Sequence, residues 1–273
     1  MNRLANAWQL AKASWAVLSK DRELVAIPIV AGIGALLVFA IIALPGIILV
    51  GDSDNNATNF ALWIFLALAA VGASWFAALG QAAVVAGAAE RMDGGNPTLG
   101  SAYTAARARA FRLLEWAILA TVVAIVLDQL EERLGMLGRI VSWLGNVAFS
   151  VLSFLALPII VFEDVGAIEG FKRSSSLLKQ TWGEQVAFSF GMGLLGFLLA
   201  LPAILIGGAL IATGVLPIQI VGVAAAVAWI VLVAAVTSAL SAVFKAALYR
   251  YAKGLPVDPA FDQGDLRGAF RPK

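Results

Sequence analysis

Six runs of apolar sequence, each long enough to cross a lipid bilayer, constrain this chain more than any other feature. They fall at 24–50, 60–88, 113–130, 140–162, 186–212 and 218–248, and the third is the least apolar. A spanning helix needs roughly 17–25 such residues, and longer runs tilt or extend past the headgroups. In hydrocarbon every backbone N–H and C=O must find a partner inside the protein, which leaves helices and closed barrels. Barrel strands alternate polar and apolar residues, and runs such as 204–212 and 221–236 show no alternation. The expected fold is all-α: a polytopic membrane helix bundle of about six transmembrane helices with amphipathic helices at the interface.

Composition agrees. Apolar residues make up 61% of the 273 and charged residues 13%, against about 45–50% and about 25% in soluble domains. A single soluble core stops growing near this chain length and could not hide so much apolar surface. The chain has no Cys and no His. That removes Cys/His zinc sites, His-ligated haem, thiol nucleophiles, His general bases and disulfides. No cofactor, metal or nucleic-acid partner is expected. The first apolar run is too long for a cleaved signal peptide and follows Arg3, Lys12, Lys20 and Arg22, so it is expected to remain in the mature protein.

Orientation follows from Lys and Arg, which collect on the cytoplasmic side. With six spans, seventeen of the 19 basic residues fall on one side, and only Arg133 and Arg139 on the other. Both termini are then cytoplasmic, in the inner membrane. The outer connections are an acidic, Asn-rich segment at 51–59, a charged loop at 128–138 and a Gly/Pro turn at 213–217.

The inner segments read as helices. Asn96-Pro97 offers an N-cap and a first-turn Pro for a helix over 98–113, with Tyr103, Ala106, Ala110 and Leu113 on one side. Asp164 is placed to cap a helix through Phe171, Leu177, Leu178 and Trp182. Leu4, Trp8, Ala11 and Trp15 share a face near the N-terminus, a basic, Trp-bearing pattern that lies in the headgroup plane. Trp8, Tyr103 and Phe171 can be aligned. The expected organisation is one membrane domain over 1–253, read either as three units of an interfacial helix plus a hairpin (1–90, 91–163 and 164–253) or as ordinary basic, amphipathic cytoplasmic segments between spans, with a cytoplasmic tail over 254–273, part of it disordered.

Candidate sites each have a plain structural alternative. Gly191, Gly193 and Gly196 match G-x-G-x-x-G, but they sit in an apolar span without a preceding strand, so helix packing explains them better. Ala69, Ala73, Ala77, Ala83 and Gly87, and Gly222 with Ala226, form small faces suited to close packing, within the bundle or in a homo-oligomer or partner complex. Gln81, with Ser74 on its face, and the stripe Thr237, Ser241, Lys245 and Tyr249 could line a polar path, with Glu90, Glu163 or Asp164 as counter-ions. Equally, Lys245 can snorkel and hydroxyls can bond their own helix. Arg107, Arg109, Arg112, Lys172 and Arg173 are candidate contacts to lipid headgroups. Glu115 with Arg112 reads as an interfacial ion pair, and Trp116, Trp15, Trp63, Trp143 and Trp182 as interfacial anchors. Pro158 and Pro202 are candidate kinks, and Pro202 with Gly207-Gly208 could interrupt the fifth span.

Leu157-Pro158-Ile159-Ile160-Val161-Phe162-Glu163-Asp164, then Ala167-Ile168-Glu169, then Ser174-Ser175-Ser176-Leu177-Leu178-Lys179 and Trp182, form a pattern that resembles a group of prokaryotic six-span membrane proteins of unknown function. That group is distantly similar to the membrane domain found beside glycerophosphodiester phosphodiesterases. The closing Ala246-Ala247-Leu248-Tyr249-Arg250-Tyr251-Ala252 is similar as well. The resemblance implies the fold and a membrane location over nearly the whole chain, and it implies no activity. The expected function is a non-enzymatic scaffold, regulatory or oligomer-forming membrane component in contact with membrane lipids. The alternative is a small-solute transporter or lipid-handling protein.

Overall fold

A computed structural model describes residues 3–50, 56–179 and 184–261. Among them are nine helices: α1 (Arg3–Leu18), α2 (Arg22–Val50), α3 (Asn56–Met92), α4 (Leu99–Arg107), α5 (Ala110–Leu152), α6 (Ala156–Glu163), α7 (Ala167–Lys179), α8 (Glu184–Ala212) and α9 (Leu216–Ala252). Five stretches are long and apolar enough to cross a membrane: Glu23–Leu49, Asn59–Met92, Ala110–Glu163, Leu195–Ala212 and Leu216–Ala252. Large side chains on them lie bare, Leu36 at 71% and Ile48 at 77% exposure. Surfaces this apolar are stable in hydrocarbon and not in water.

The third stretch turns back on itself. Gly135 takes φ 55 and ψ −125, a conformation that favours glycine, and splits α5 into two limbs. Leu127 lies against Gly145, Arg139 reaches Glu131 at 3.4 Å, and the rings of Trp116 and Phe149 stack with centroids 5.9 Å apart. In a straight helix those two rings would be separated by about 50 Å. The third of the five stretches is therefore two limbs lying against each other. The charged loop expected at 128–138 is helix up to this one turn, because both limbs satisfy their own backbones up to Gly135.

The chain divides into two compact units. The terminal unit comprises Met1–Ile29, Ala88–Pro97 and Gln180–Lys273, and the central unit comprises Val30–Gly87 and Thr98–Lys179.

In the terminal unit α1 packs on α8 and α9. Its inward face is Leu10, Ala13, Ser14, Val17 and Leu18. Trp8 and Trp15 are half-exposed, with the Lys12 ammonium 5.6 Å from the Trp8 ring centre, so the two tryptophans mark the outer face instead of an inner one shared with Ala11. Helices α8 and α9 form a hairpin closed by Gly214 at φ 72. A Cβ on Gly207 would lie 2.9 Å from that of Ala226, and one on Gly222 2.7 Å from that of Leu210. The small residues let these helices approach closely.

Charge ties the polar end of this unit together. Lys20 pairs with Asp258 at 3.0 Å, and Arg91 with both Asp21 and Asn96. Arg250, almost wholly buried, bonds the Pro256 carbonyl at 2.8 Å and the Asp93 carboxylate. The first residues of the expected tail are thus packed, down to a buried Phe261, and the rest of the tail lies outside the described residues.

In the central unit α2 and α3 run antiparallel, with Gly34 against Phe76, Gly72 against Val38 and Ile42, and Gly46 against Phe65. Helix α3 meets α5 through two polar contacts: Trp75 Nε1 donates to the Ala110 carbonyl at 2.8 Å, and Thr121 to Ser74 at 3.4 Å. Helix α4 starts two residues later than the Asn96-Pro97 pair suggested. Thr98 is its N-cap in a reciprocal box with Ser101, while Asn96 is engaged by Arg91. Helix α6 is buried from Ala156 to Val161 and packs on α7.

Candidate functional site

The richest polar site in the described residues lies where α5 begins and α7 begins. Glu115, in the second turn of α5, takes Arg112 on one oxygen at 3.2 Å and the Ala167 backbone N–H on the other at 3.2 Å. Helix α7 has Gly166 before it and therefore no side chain of its own to cap its first turn. Glu115 supplies the missing acceptor from 52 residues away, and its charge suits the positive end of a helix dipole.

Asp164 does not cap α7 as the sequence suggested. It ends α6 in the left-handed conformation, φ 52 and ψ 41, which Asp tolerates better than most residues. From there it faces Arg109 at 3.5 Å and Arg112 at 3.7 Å. Both separations exceed ordinary hydrogen-bond length. Arg109 also donates to the Val161 carbonyl at 3.3 Å. On α7 Arg173 bridges Glu169 at 2.7 Å and Glu163. These two carboxylates, Glu169 foremost, raise the Arg173 guanidinium above its ordinary pKa.

Beside this cluster a groove of about 600 Å³ opens between the first limb of α5 and the start of α7. Its walls are Ile118, Leu119, Val122 and Ile168, and its mouth is Glu115, Gly166, Ala167 and Glu169. Glycine keeps the mouth open, since a Cβ at position 166 would stand 2.8 Å from Glu115 Oε2 and 3.9 Å from Arg112 Nη1.

The five basic headgroup candidates divide. Arg109, Arg112 and Arg173 are the paired residues just described. Arg107 and Lys172 are exposed, and their side chains form no ion pair among the described residues. Of the polar-path candidates, Thr237 donates to its own helix at the Val233 carbonyl, 2.8 Å away, and its methyl faces Gly196. Ser241 and Lys245 are half-buried on α9, where Ala242, Val243, Phe244, Ala246, Ala247 and Leu248 are buried beside them. Gln81 is half-buried on α3. The proposed counter-ions Glu163 and Asp164 are engaged by Arg173, Arg109 and Arg112. Gly191, Gly193 and Gly196 lie within helix α8, and no strand precedes them among the described residues.

The two prolines sit differently in their helices. Pro158 is the third residue of α6, and the chain breaks before it, over 153–155. Its ring would collide with the carbonyl four residues back, and in a first turn its missing N–H costs nothing. The gap leaves the Leu155 N–H without a helical acceptor, and the fully buried Ser174 hydroxyl accepts it at 3.1 Å. Pro202 does not interrupt α8, which is continuous to Ala212. There Trp229 Nε1 donates to the Leu199 carbonyl at 2.7 Å, giving the indole a partner where lipid offers none. Trp116 is not an interfacial anchor but core: it is buried, and Phe149 stacks between it and Phe171, the second pair 5.6 Å apart. Trp15, Trp63 and Trp143 are exposed, and Trp182 lies outside the described residues.

Gly166 and Glu169 were missed in the sequence. The available signal was a helix start preceded by Val-Gly instead of a capping residue, which demands an acceptor from elsewhere.

Fold and site together define a class, the multi-pass helical membrane protein with a charged cluster at one end of its spans. Residues 59–256 match a family of unknown function (DUF6159), and the chain belongs to that family. No curated protein and no solved structure matches it.

Proposed function

We propose that the chain is a non-enzymatic scaffold or regulatory component of the cytoplasmic membrane, with both termini cytoplasmic and α1, α4 and α7 lying at the inner surface. The observation that carries this reading is the engagement of the groove's carboxylates. Glu115 and Glu169 share one groove, which an acid–base enzyme would also need, yet each accepts from a guanidinium. Held in this way, Glu115 ties α5 to the start of α7 and Glu169 ties to Arg173, which is the arrangement of a structural cluster. Exposed Arg107 and Lys172 supply basic contacts to anionic headgroups, each contributing about 1 kcal/mol at a cytoplasmic leaflet.

A second reading, transport or lipid handling, draws support from the same groove, whose apolar walls are partly exposed.

Orientation is tested in a chain that has no natural cysteine. Arg107→Cys and Lys172→Cys should react with an impermeant thiol reagent in inside-out vesicles and not in intact cells. Function is tested by purification in mild detergent with mass spectrometry of what remains bound. A protein partner or self-assembly of fixed stoichiometry supports the scaffold. Solute flux in proteoliposomes that Lys245→Ala abolishes would replace it with the transporter.

A further inference from the structure

We propose that the groove between the first limb of α5 and the start of α7 binds one phospholipid with a primary-amine headgroup, of the ethanolamine type. The inference rests on the membrane location alone and not on the scaffold reading.

The groove has the size of a ligand site, about 600 Å³. Its walls face outward, with Ile118 at 46% and Val122 at 51% exposure, so an acyl chain can enter sideways from the bilayer. Apolar walls alone select nothing there, because leaving lipid for an apolar groove gains little. Selection must come from the mouth, whose lining carboxylates Glu115 and Glu169 have the Arg112 guanidinium beside them. Arg112 Nη1 and Glu115 Oε2 both stand within 4 Å of the Gly166 Cβ position. A guanidinium has five N–H donors and a carboxylate about four acceptor sites. Each Glu115 oxygen has one protein partner, and Glu169 receives Arg173 on Oε1. Donors on Arg112 and acceptor sites on both glutamates therefore remain for a ligand.

The phosphate of a zwitterionic headgroup is assigned to Arg112, on the side away from Asp164 at 3.7 Å, and its primary ammonium to the two carboxylates. A glycerol headgroup brings the phosphate but no cation, and sets its negative charge beside two carboxylates. A choline headgroup has the cation but no N–H to donate. Losing one charge-assisted hydrogen bond corresponds to roughly tenfold or more in affinity.

The full chain is placed in nanodiscs of ethanolamine, choline and glycerol phospholipids in equal amounts with matched tails. It is then extracted in mild detergent, and the retained lipids are identified by native mass spectrometry. One ethanolamine lipid should be retained, about tenfold over the others. Val122→Trp fills the groove from a lipid-facing position and should abolish retention. Glu169→Gln should keep a bound lipid and lose the headgroup preference. Retention in the proportions of the bilayer, preference for choline or glycerol headgroups, or unchanged retention in Val122→Trp overturns the proposal.

Discussion

The hydroxyl of Ser174 accepts a hydrogen bond from the Leu155 backbone N–H at 3.1 Å, and so closes the gap that Pro158 forces between α5 and α6. In water such a gap would be solvated. Here the neighbouring residues 154–161 are buried, and the donor has no solvent to turn to. Ser174→Ala should cost about 1–3 kcal/mol, the usual penalty for a buried donor left without a partner. Thermal unfolding in detergent measures it. Ser175→Ala, whose hydroxyl bonds only its own helix at the Lys172 carbonyl, should shift the midpoint little.

Glu115 serves α7 as a borrowed cap. Glu115→Ala should accelerate amide hydrogen exchange in the first turn of α7 and cost about 1 kcal/mol. Glu115→Gln keeps an acceptor and should do less. Gly166→Ala should mimic the loss, because its methyl displaces the carboxylate. Exchange in α4, which has its own Thr98 cap, should not change.

Arg250 holds the beginning of the tail through the Pro256 carbonyl and Asp93. Arg250→Met should free the segment around Asp258 and Phe261, read as faster limited proteolysis there. The stability loss should be about 1.5–3 kcal/mol, that of hydrogen bonds to a charged group. Asp93→Asn, at an exposed carboxylate, should give a smaller effect because the carbonyl contact persists.

Glycines on α2 should differ sharply by position. A methyl on Gly46 would stand 2.5 Å from the Phe65 Cβ, close to backbone that cannot swing away. Gly46→Ala should destabilise by about 1–3 kcal/mol, as overpacking does. Gly32 has open space around it, so Gly32→Ala should be neutral or raise the melting midpoint through better helix propensity.

The long apolar helices were legible in the sequence, including the weak run 113–130 within α5, because lipid forbids an unpaired backbone and so dictates helix; the break at 153–155 inside the expected span 140–162 was not. The ion pair of Arg112 with Glu115 was legible too, being local on one helix. Reading failed wherever a partner came from far along the chain. Asp164 looked like a cap because its position before a helix fits one; the actual acceptor, Glu115, is distant in sequence. Trp116 looked like an anchor because it sits near a span's end, and only the folding back of α5 brings Phe149 onto it. Lys20 with Asp258, and Arg250 with Asp93, join segments whose proximity no local pattern encodes.

The amino-acid sequence by itself determined that this chain is a helical, multi-pass protein of hydrocarbon, since solvent transfer acts on each segment independently. The tertiary structure decided which polar groups meet: Ser174 with Leu155, Glu115 with the start of α7, and Arg250 with the tail. Those choices depend on packing between segments, where one hydrogen bond in a dry environment selects a single arrangement.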